Sequence, residues 1–382
     1  MPGVSRRSAI EPFGVMEVMR AAAEREARGE RVLHLEVGQP STPAPAGVLA
    51  AAQRALCSDR IGYAPALGLD QLRSRIARWY AERDDVDVDP ARVVVTTGAS
   101  GSCVLTFLAC WDPGQRVGVL EPGYPCYRND LAAFGVDAVG IPVGPESGFR
   151  PTLEQLDAAG PLDGLVVASP SNPTGTVLDR ADLDLVLRWG RACDARIVVD
   201  EIYAGITYDA PAPTALALDP EVVVINSFSK YFSMTGWRLG WVVVPDRLVV
   251  PLERLGQNLA IAAPTLSQLA AVSAFDCVEE LEANVARYAV NRSVLLDRLP
   301  HLGITSIAPA DGAFYGYGRV PDLGMASPEL CRRWLDECGV AVTPGPDFDP
   351  VRGGDWLRFS YAGAGTDLVE AMDRLSAWMS RQ

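Results

Sequence analysis

The chain changes texture twice along its length. From 11 to 29 apolar and charged positions alternate at helical spacing, and Gly29 makes a stop. A short apolar strand is expected over 31–37, closing on Gly38-Gln39-Pro40, followed by a helix over 45–56. Residues 61–65 form a loop carrying Tyr63, and 69–83 a long helix with Leu72, Ile76 and Trp79 on one face. From Arg92 the pattern becomes short β-branched runs separated by helical stretches. The runs fall at 93–97, 116–120, 138–143, 164–168, 196–199, 222–225 and 239–244, and helices are expected over 99–110, 125–134 and 179–193. Near-continuous Val, Ile and Leu runs with helices between them predict a mainly parallel seven-stranded sheet buried on both faces, an α/β architecture. Past Pro264 comes a long helical region, 266–299. Strands at 304–307, 313–320, 340–343 and 356–361 follow, with helices at 328–338 and 367–379, the mixture of a smaller α+β unit. We expect a large domain over 46–275 and a small one formed by both termini, 1–45 and 276–382, with a cleft between them.

Composition narrows the function. The chain has 382 residues, 48% of them hydrophobic and 21% charged, with a net charge of −14, which argues against nucleic acid and anionic membrane as partners. No apolar stretch approaches a membrane span, and Arg6-Arg7 is not followed by an apolar segment, so a cytoplasmic protein is expected. The eight cysteines are scattered, without a Cys-x-x-Cys, and His34 and His301 lie far apart, which argues against a metal site.

Of the 34 basic side chains, one is a lysine, Lys230; the rest are arginine. Lysine can lose its proton and form an imine, and arginine can do neither. Lys230 follows an apolar run, in Ser227-Phe228-Ser229-Lys230, and Arg238 opens the next strand. Other strand ends are also polar. Thr97-Gly98-Ala99-Ser100 opens a helix, and reads either as an N-cap or as an anion cradle. Ser171-Asn172-Pro173-Thr174-Gly175 reads as a turn or as a rigid mount for Asn172. Asp200-Glu201-Ile202-Tyr203 ends an apolar strand in a carboxylate, which is either a cap or the partner of a cation.

Taken in order these stretches resemble the pyridoxal-phosphate-dependent aminotransferases of class I/II, the aspartate aminotransferase superfamily of fold type I. The matching segments are Gly38-x-Pro40; Tyr63 with Gly68 and Leu72-Arg73; Thr97-Gly98-Ala99; Glu121-Pro122-x-Tyr124; Ser171 to Gly175; Asp200-Glu201-x-Tyr203; Ser227-x-Ser229-Lys230; Gly236-Trp237-Arg238-x-Gly240; and Trp356-Leu357-Arg358-x-Ser360. The resemblance implies that Lys230 forms the imine with pyridoxal 5′-phosphate and moves the substrate proton. It implies that Asp200 meets the pyridinium nitrogen, that Asn172 and Tyr203 meet the phenolic oxygen, and that Tyr124 stacks on the ring, with Tyr127 a nearby competitor. The phosphate falls to Ala99, Ser100, Ser227, Ser229 and Arg238, with Tyr63 reaching it from the second subunit of a homodimer. Arg358, with Asn172 and the Gly38 backbone, holds the substrate α-carboxylate.

No basic residue is assignable to a distal carboxylate, and Gly101-Ser102-Cys103-Val104 is small and neutral. The expected substrates are therefore a neutral or aromatic L-amino acid and a 2-oxo acid, with Phe13, Val15 and Met16 of the first helix as further pocket candidates. Asp349 stands where relatives often carry glycine. Other reactions of the same cofactor (a C–S β-lyase, a cyclopropane-forming synthase, an amino-acid oxidase) share these motifs. A cofactor-sensing regulator is disfavoured because the fold starts near residue 10 and the chain is acidic; a Rossmann nucleotide binder is disfavoured because no Gly-x-Gly-x-x-Gly follows the first sheet strand.

Overall fold

A computed structural model describes residues 3–58, 60–320 and 322–382. A two-residue strand β1 (Leu33–His34) precedes the central sheet, which comprises β2 (Val93–Thr96), β3 (Arg116–Glu121), β4 (Asp137–Pro142), β5 (Gly164–Ala168), β6 (Arg196–Asp200), β7 (Val223–Ser227) and β8 (Gly240–Val243). Their spatial order is β2-β8-β7-β6-β5-β3-β4, with β8 antiparallel to both neighbours and the other pairings parallel. Alternate residues feed opposite layers. Val93, Val95, Leu165, Val167, Ile197 and Val199 pack with Leu72, Ile76, Leu183 and Val186, whereas Val94, Val166 and Val198 pack with Phe107, Leu131 and Leu252. This period of two, buried on both sides, is why the strands read as unbroken apolar runs.

The helix Arg180–Cys193 shows how sequence sets an element. Asp179 accepts from the N–H groups of Ala181 and Asp182 at its start, and Leu183, Val186, Leu187 and Gly190 form its buried stripe. Two helices escape the sequence pattern. Asp246–Leu259 contains Pro251, normally a breaker, yet buries Leu248, Leu252 and Gly256 at successive turns. Leu153–Ala158 is six residues long, too short for periodicity to register. The long helical region expected over 266–299, with turns on either side of Asp276, is made of Thr265–Ala271, a tighter turn Val272–Asp276, and Val278–Arg298.

Beyond it, β9 (Tyr315–Arg319), β10 (Val340–Ala341), β11 (Thr343–Pro344) and β12 (Trp356–Ser360) combine with helices Ser327–Cys338 and Gly365–Met379. The single strand expected over 340–343 serves two sheets: β10 runs parallel to β1, and β11 joins the antiparallel sheet β11-β12-β9. Leu33 and Leu35 therefore share a core with Tyr288, Trp334, Phe359, Met372 and Trp378. Asp349 is buried; its carboxylate accepts from the N–H groups of Val351 at 3.0 Å and Arg352 at 2.8 Å and pairs with the Arg352 guanidinium at 2.7 Å. Arg352 in turn donates to the carbonyls of Glu121 and Val143, at 2.6 and 3.1 Å. Where a glycine would leave this loop free, Asp349 fastens it to the end of β3.

Among the described residues no helix is long and apolar enough to cross a membrane. None of their His, Cys, Asp and Glu side chains form a group of three or more able to hold a metal ion.

Candidate active site

The strand ends of β2, β3, β5, β6 and β7, and the start of antiparallel β8, all open on one edge of the sheet, the usual place for a ligand in an open α/β fold. A cavity of about 200 Å3 lies there, closed by residues from both termini. It is lined by Ala99, Ser100, Tyr124, Asn172, Asp200 and Tyr203, and by Ser229, Lys230, Arg238, Gly38 and Arg358. Stretches of sequence spread over more than 300 residues thus meet at one point.

Lys230 donates to the carbonyl of Gly38 at 2.6 Å. Burial lowers its amine to about 8, helped by the positive charges of Arg358 and Arg238 and opposed by Asp200. Asp200, 3% exposed, ends β6 and is pushed up to about 6 by burial. Two donors oppose that shift: the Tyr127 hydroxyl at 2.5 Å and the Ile202 N–H at 3.0 Å. Tyr203 and Tyr315 share a hydroxyl–hydroxyl bond of 2.8 Å. Arg358, also 3% exposed, lies in β12 opposite Tyr317 of β9. It donates to Asn172 Oδ1 at 2.8 Å, to Thr343 Oγ1 at 3.3 Å and to the carbonyl of Glu36.

The Gly98 end has a geometry that suits an anion. Gly98 has φ +79°, and a Cβ there would lie 2.8 Å from Arg238 Nη2. Glycine is what lets a guanidinium come down onto the N-terminus of the helix Gly98–Cys110. Two positive ends brought together suit a phosphate. With an amine able to shed its proton, a buried carboxylate for a ring N–H and an aromatic face at Tyr124, the residues present fit pyridoxal 5′-phosphate.

Ser227 and Tyr63 are the two expected site residues outside this subunit's lining, and for Tyr63, expected to act from a second subunit, that is where it should be. Ser227 does not line the cavity; its hydroxyl donates to the carbonyl of Leu239 at 3.0 Å and lies within hydrogen-bond distance of Ser229 Oγ, 2.9 Å, so it sits behind Ser229. Tyr63 is 86% exposed and outside the cavity. In return, the structure adds Tyr127, Tyr315, Asp130 and Cys126 to the lining. Phe13, Val15 and Met16 do line it, joined by Met19. Their helix, Gly14–Glu26, is capped by a residue from the far end of the chain, the carboxylate of Asp347, which accepts from the N–H groups of Gly14 and Val15 at 2.9 and 3.2 Å.

A lysine just beyond β7, a helix N-terminus and a guanidinium that suit an anion, and a buried carboxylate on one α/β edge fit a cofactor-dependent group-transfer enzyme. Residues 30–375 match the family described as Aminotransferase class I and II, and the chain belongs to that family. Its members are pyridoxal-phosphate-dependent transferases that move an amino group between an amino acid and a 2-oxo acid. The chain is 47% identical to the valine–pyruvate aminotransferase of Mycobacterium tuberculosis, over 99% of each chain. A crystal structure of an aminotransferase from the same organism superposes with a TM-score of 0.97 at 46% identity, covering 100% of both chains. The aspartate aminotransferase of Thermus thermophilus, solved with maleate, gives 0.93 at 31% identity, over 99% of this chain and 100% of that one.

Proposed function

We propose that this enzyme holds pyridoxal 5′-phosphate at Lys230 and transfers the amino group of a neutral or aromatic L-amino acid to a 2-oxo acid. The observation that carries the reading is the chain's one lysine amine, lowered to about 8, in a cavity with the buried Asp200 and the buried Arg358. The bound cofactor supplies an aldehyde for the amine and a ring that takes up the electron pair left when the substrate Cα–H proton departs.

The chain's own groups do the rest. A lysine lowered to about 8 is neutral often enough near pH 7 to accept that proton and return it at a neighbouring carbon. With the cofactor bound, Asp200 would pair with the ring nitrogen and hold its proton, its carboxylate steered by Tyr127 and the Ile202 N–H. Asn172 and Tyr203 would hydrogen-bond the phenolic oxygen, and Tyr124 would offer its aromatic face to the ring. Ala99 and Ser100 N–H groups, Ser229 and Arg238 hold the phosphate, and Ser227 orients Ser229. Arg358 grips the substrate α-carboxylate with its planar fork beside Asn172 and the Gly38 backbone. The units 46–275 and 1–45 with 276–382 then form the two walls of the cleft.

A neutral donor is supported by the apolar side chains of Phe13, Val15, Met16 and Met19 in the wall, and by the name of the 47%-identical relative. A homodimer is supported by the surface around Tyr63. The Thr265 hydroxyl bonds the Gly62 carbonyl at 2.5 Å, and Ile61, Tyr63, Leu259 and Ile261 stand exposed in the two segments it joins. In such a dimer Tyr63 reaches the phosphate of the neighbouring site.

The test is a donor and acceptor screen followed at the cofactor absorbance band. A donor added without acceptor should convert the band stoichiometrically, and Lys230→Ala should abolish both the starting band and turnover. Steady ammonia release, oxygen uptake, or turnover surviving in Lys230→Ala would sink the reading.

A further inference from the structure

One carboxylate in the cavity has no part in the chemistry above. Asp130 lies on the helix Pro125–Phe134, one turn beyond Cys126 and three residues after Tyr127, so the same helical face presents all three to the cavity. It is half-buried, and among the described residues no hydrogen bond or ion pair engages its carboxylate. The basic side chain two residues before it is committed elsewhere: Arg128 pairs with Glu121 at 3.1 Å and donates to the Asp347 carbonyl. Burial alone raises the Asp130 carboxyl to about 6, so near neutral pH it is a lone negative charge in a part-desolvated cavity.

An unpaired, part-desolvated charge costs stability, and perturbed groups of this kind concentrate at functional sites. A cation-binding pocket would surround a substrate ammonium with further acceptors. Here the same cavity is lined by Phe13, Val15, Met16 and Met19, which suit an apolar side chain and offer an ammonium nothing more. We infer that Asp130 is a specificity-determining residue that excludes dicarboxylic amino and 2-oxo acids by like-charge repulsion, leaving the pocket to substrates whose only carboxylate is the one held at Arg358. The inference rests on the aminotransferase reading and sharpens its substrate class. A second carboxylate within a side chain's length of Asp130 is opposed by enough Coulomb energy to cost on the order of tenfold in selectivity.

The experiment uses the holoenzyme and the variants Asp130→Asn and Asp130→Ser. Two ratios are measured: kcat/KM for L-glutamate over L-valine, and the Kd for isobutyrate over that for succinate by titration calorimetry. Both ratios should rise about tenfold in either variant. Unchanged ratios overturn the inference, including the case where both ligands of each pair weaken together, as a merely structural Asp130 would cause. So does a wild-type preference for L-ornithine over L-valine that the variants lose, which would make Asp130 an attractor. If no donor is turned over by the wild type, the aminotransferase reading fails, and the calorimetric ratio still decides whether Asp130 discriminates.

Discussion

Tyr127→Phe removes one hydroxyl and little else, because the ring is buried between the sheet and its helix. That hydroxyl donates to Asp200 Oδ2 at 2.5 Å. A hydrogen bond to an ionised carboxylate contributes about 1.5–3 kcal/mol, and one to a neutral acid about 0.5–1.5. The difference, about 1–1.5 kcal/mol, is about one pKa unit, so Asp200 should move from about 6 upward by roughly that amount. The sign follows from burial: Asp200 is raised above its ordinary 3.8 in the folded protein, so the folded state binds the proton more tightly than the unfolded chain does. Stability is therefore lost as pH rises from the unfolded value through the folded one. In the wild type that loss levels off above about pH 6, and in Tyr127→Phe it continues for about one further pH unit. Urea denaturation of the cofactor-free protein at pH 5.5 and pH 8 measures it. The variant should be less stable by about 1 kcal/mol at pH 5.5 and by about 2–3 kcal/mol at pH 8. A deficit that is the same at both pH values would refute the claim that Tyr127 acts on the charged form of Asp200.

Three further outcomes are expected. Gly98→Ala places a Cβ 2.8 Å from Arg238 Nη2 at φ +79°, so cofactor affinity measured by equilibrium dialysis should fall by roughly tenfold or more; unchanged affinity would remove Arg238 from the cradle. Asp349→Ala deletes the carboxylate that accepts from two backbone N–H groups and pairs with Arg352, so it should cost about 2–3 kcal/mol in urea denaturation and raise the donor KM more than it lowers kcat, since the same loop leads into β12 and Arg358. His34 is raised to about 9 mainly by its hydrogen bond to Glu36 at 2.8 Å. That stabilisation is whole below pH 6.5 and disappears as pH climbs through 9. The wild-type Tm should accordingly fall over this window while the Tm of His34→Gln stays flatter.

Much of the fold is legible because both faces of the sheet are buried. Runs such as Val93–Thr96 and Arg196–Asp200 need no partner to be recognised as strands. What local pattern does not carry is pairing: nothing in Val340 to Pro344 says that two residues join β1 and the next two join β12. Pro251 likewise hides a helix whose stability comes from Leu248 and Leu252 meeting the sheet. At the site, residues demanded by chemistry stand out, Lys230 above all, since its neighbours fill positive positions with arginine. Tyr127 is harder to place because Tyr124, three residues earlier, shares its helical face, and their rings sit 5.3 Å apart. Only the fold assigns one ring to the cavity mouth and the other hydroxyl to Asp200. Ser227 shows the converse: its place in the Ser-x-Ser-Lys motif is plain, but strand alternation points its hydroxyl at Leu239.

Because Lys230 is the only lysine, a lysine-specific protease has one bond to cut in the unfolded chain, the one joining Lys230 to Tyr231. The products are fragments of 230 residues and, from 382 − 230, 152 residues. If Lys230 holds the cofactor as proposed, borohydride reduction of the loaded enzyme would turn that side chain into a secondary amine carrying the pyridoxyl group, which such a protease does not accept. One lane of a denaturing gel then counts occupied sites: the intact band is loaded enzyme and the two fragments are empty enzyme, with no standard curve and no assay of turnover.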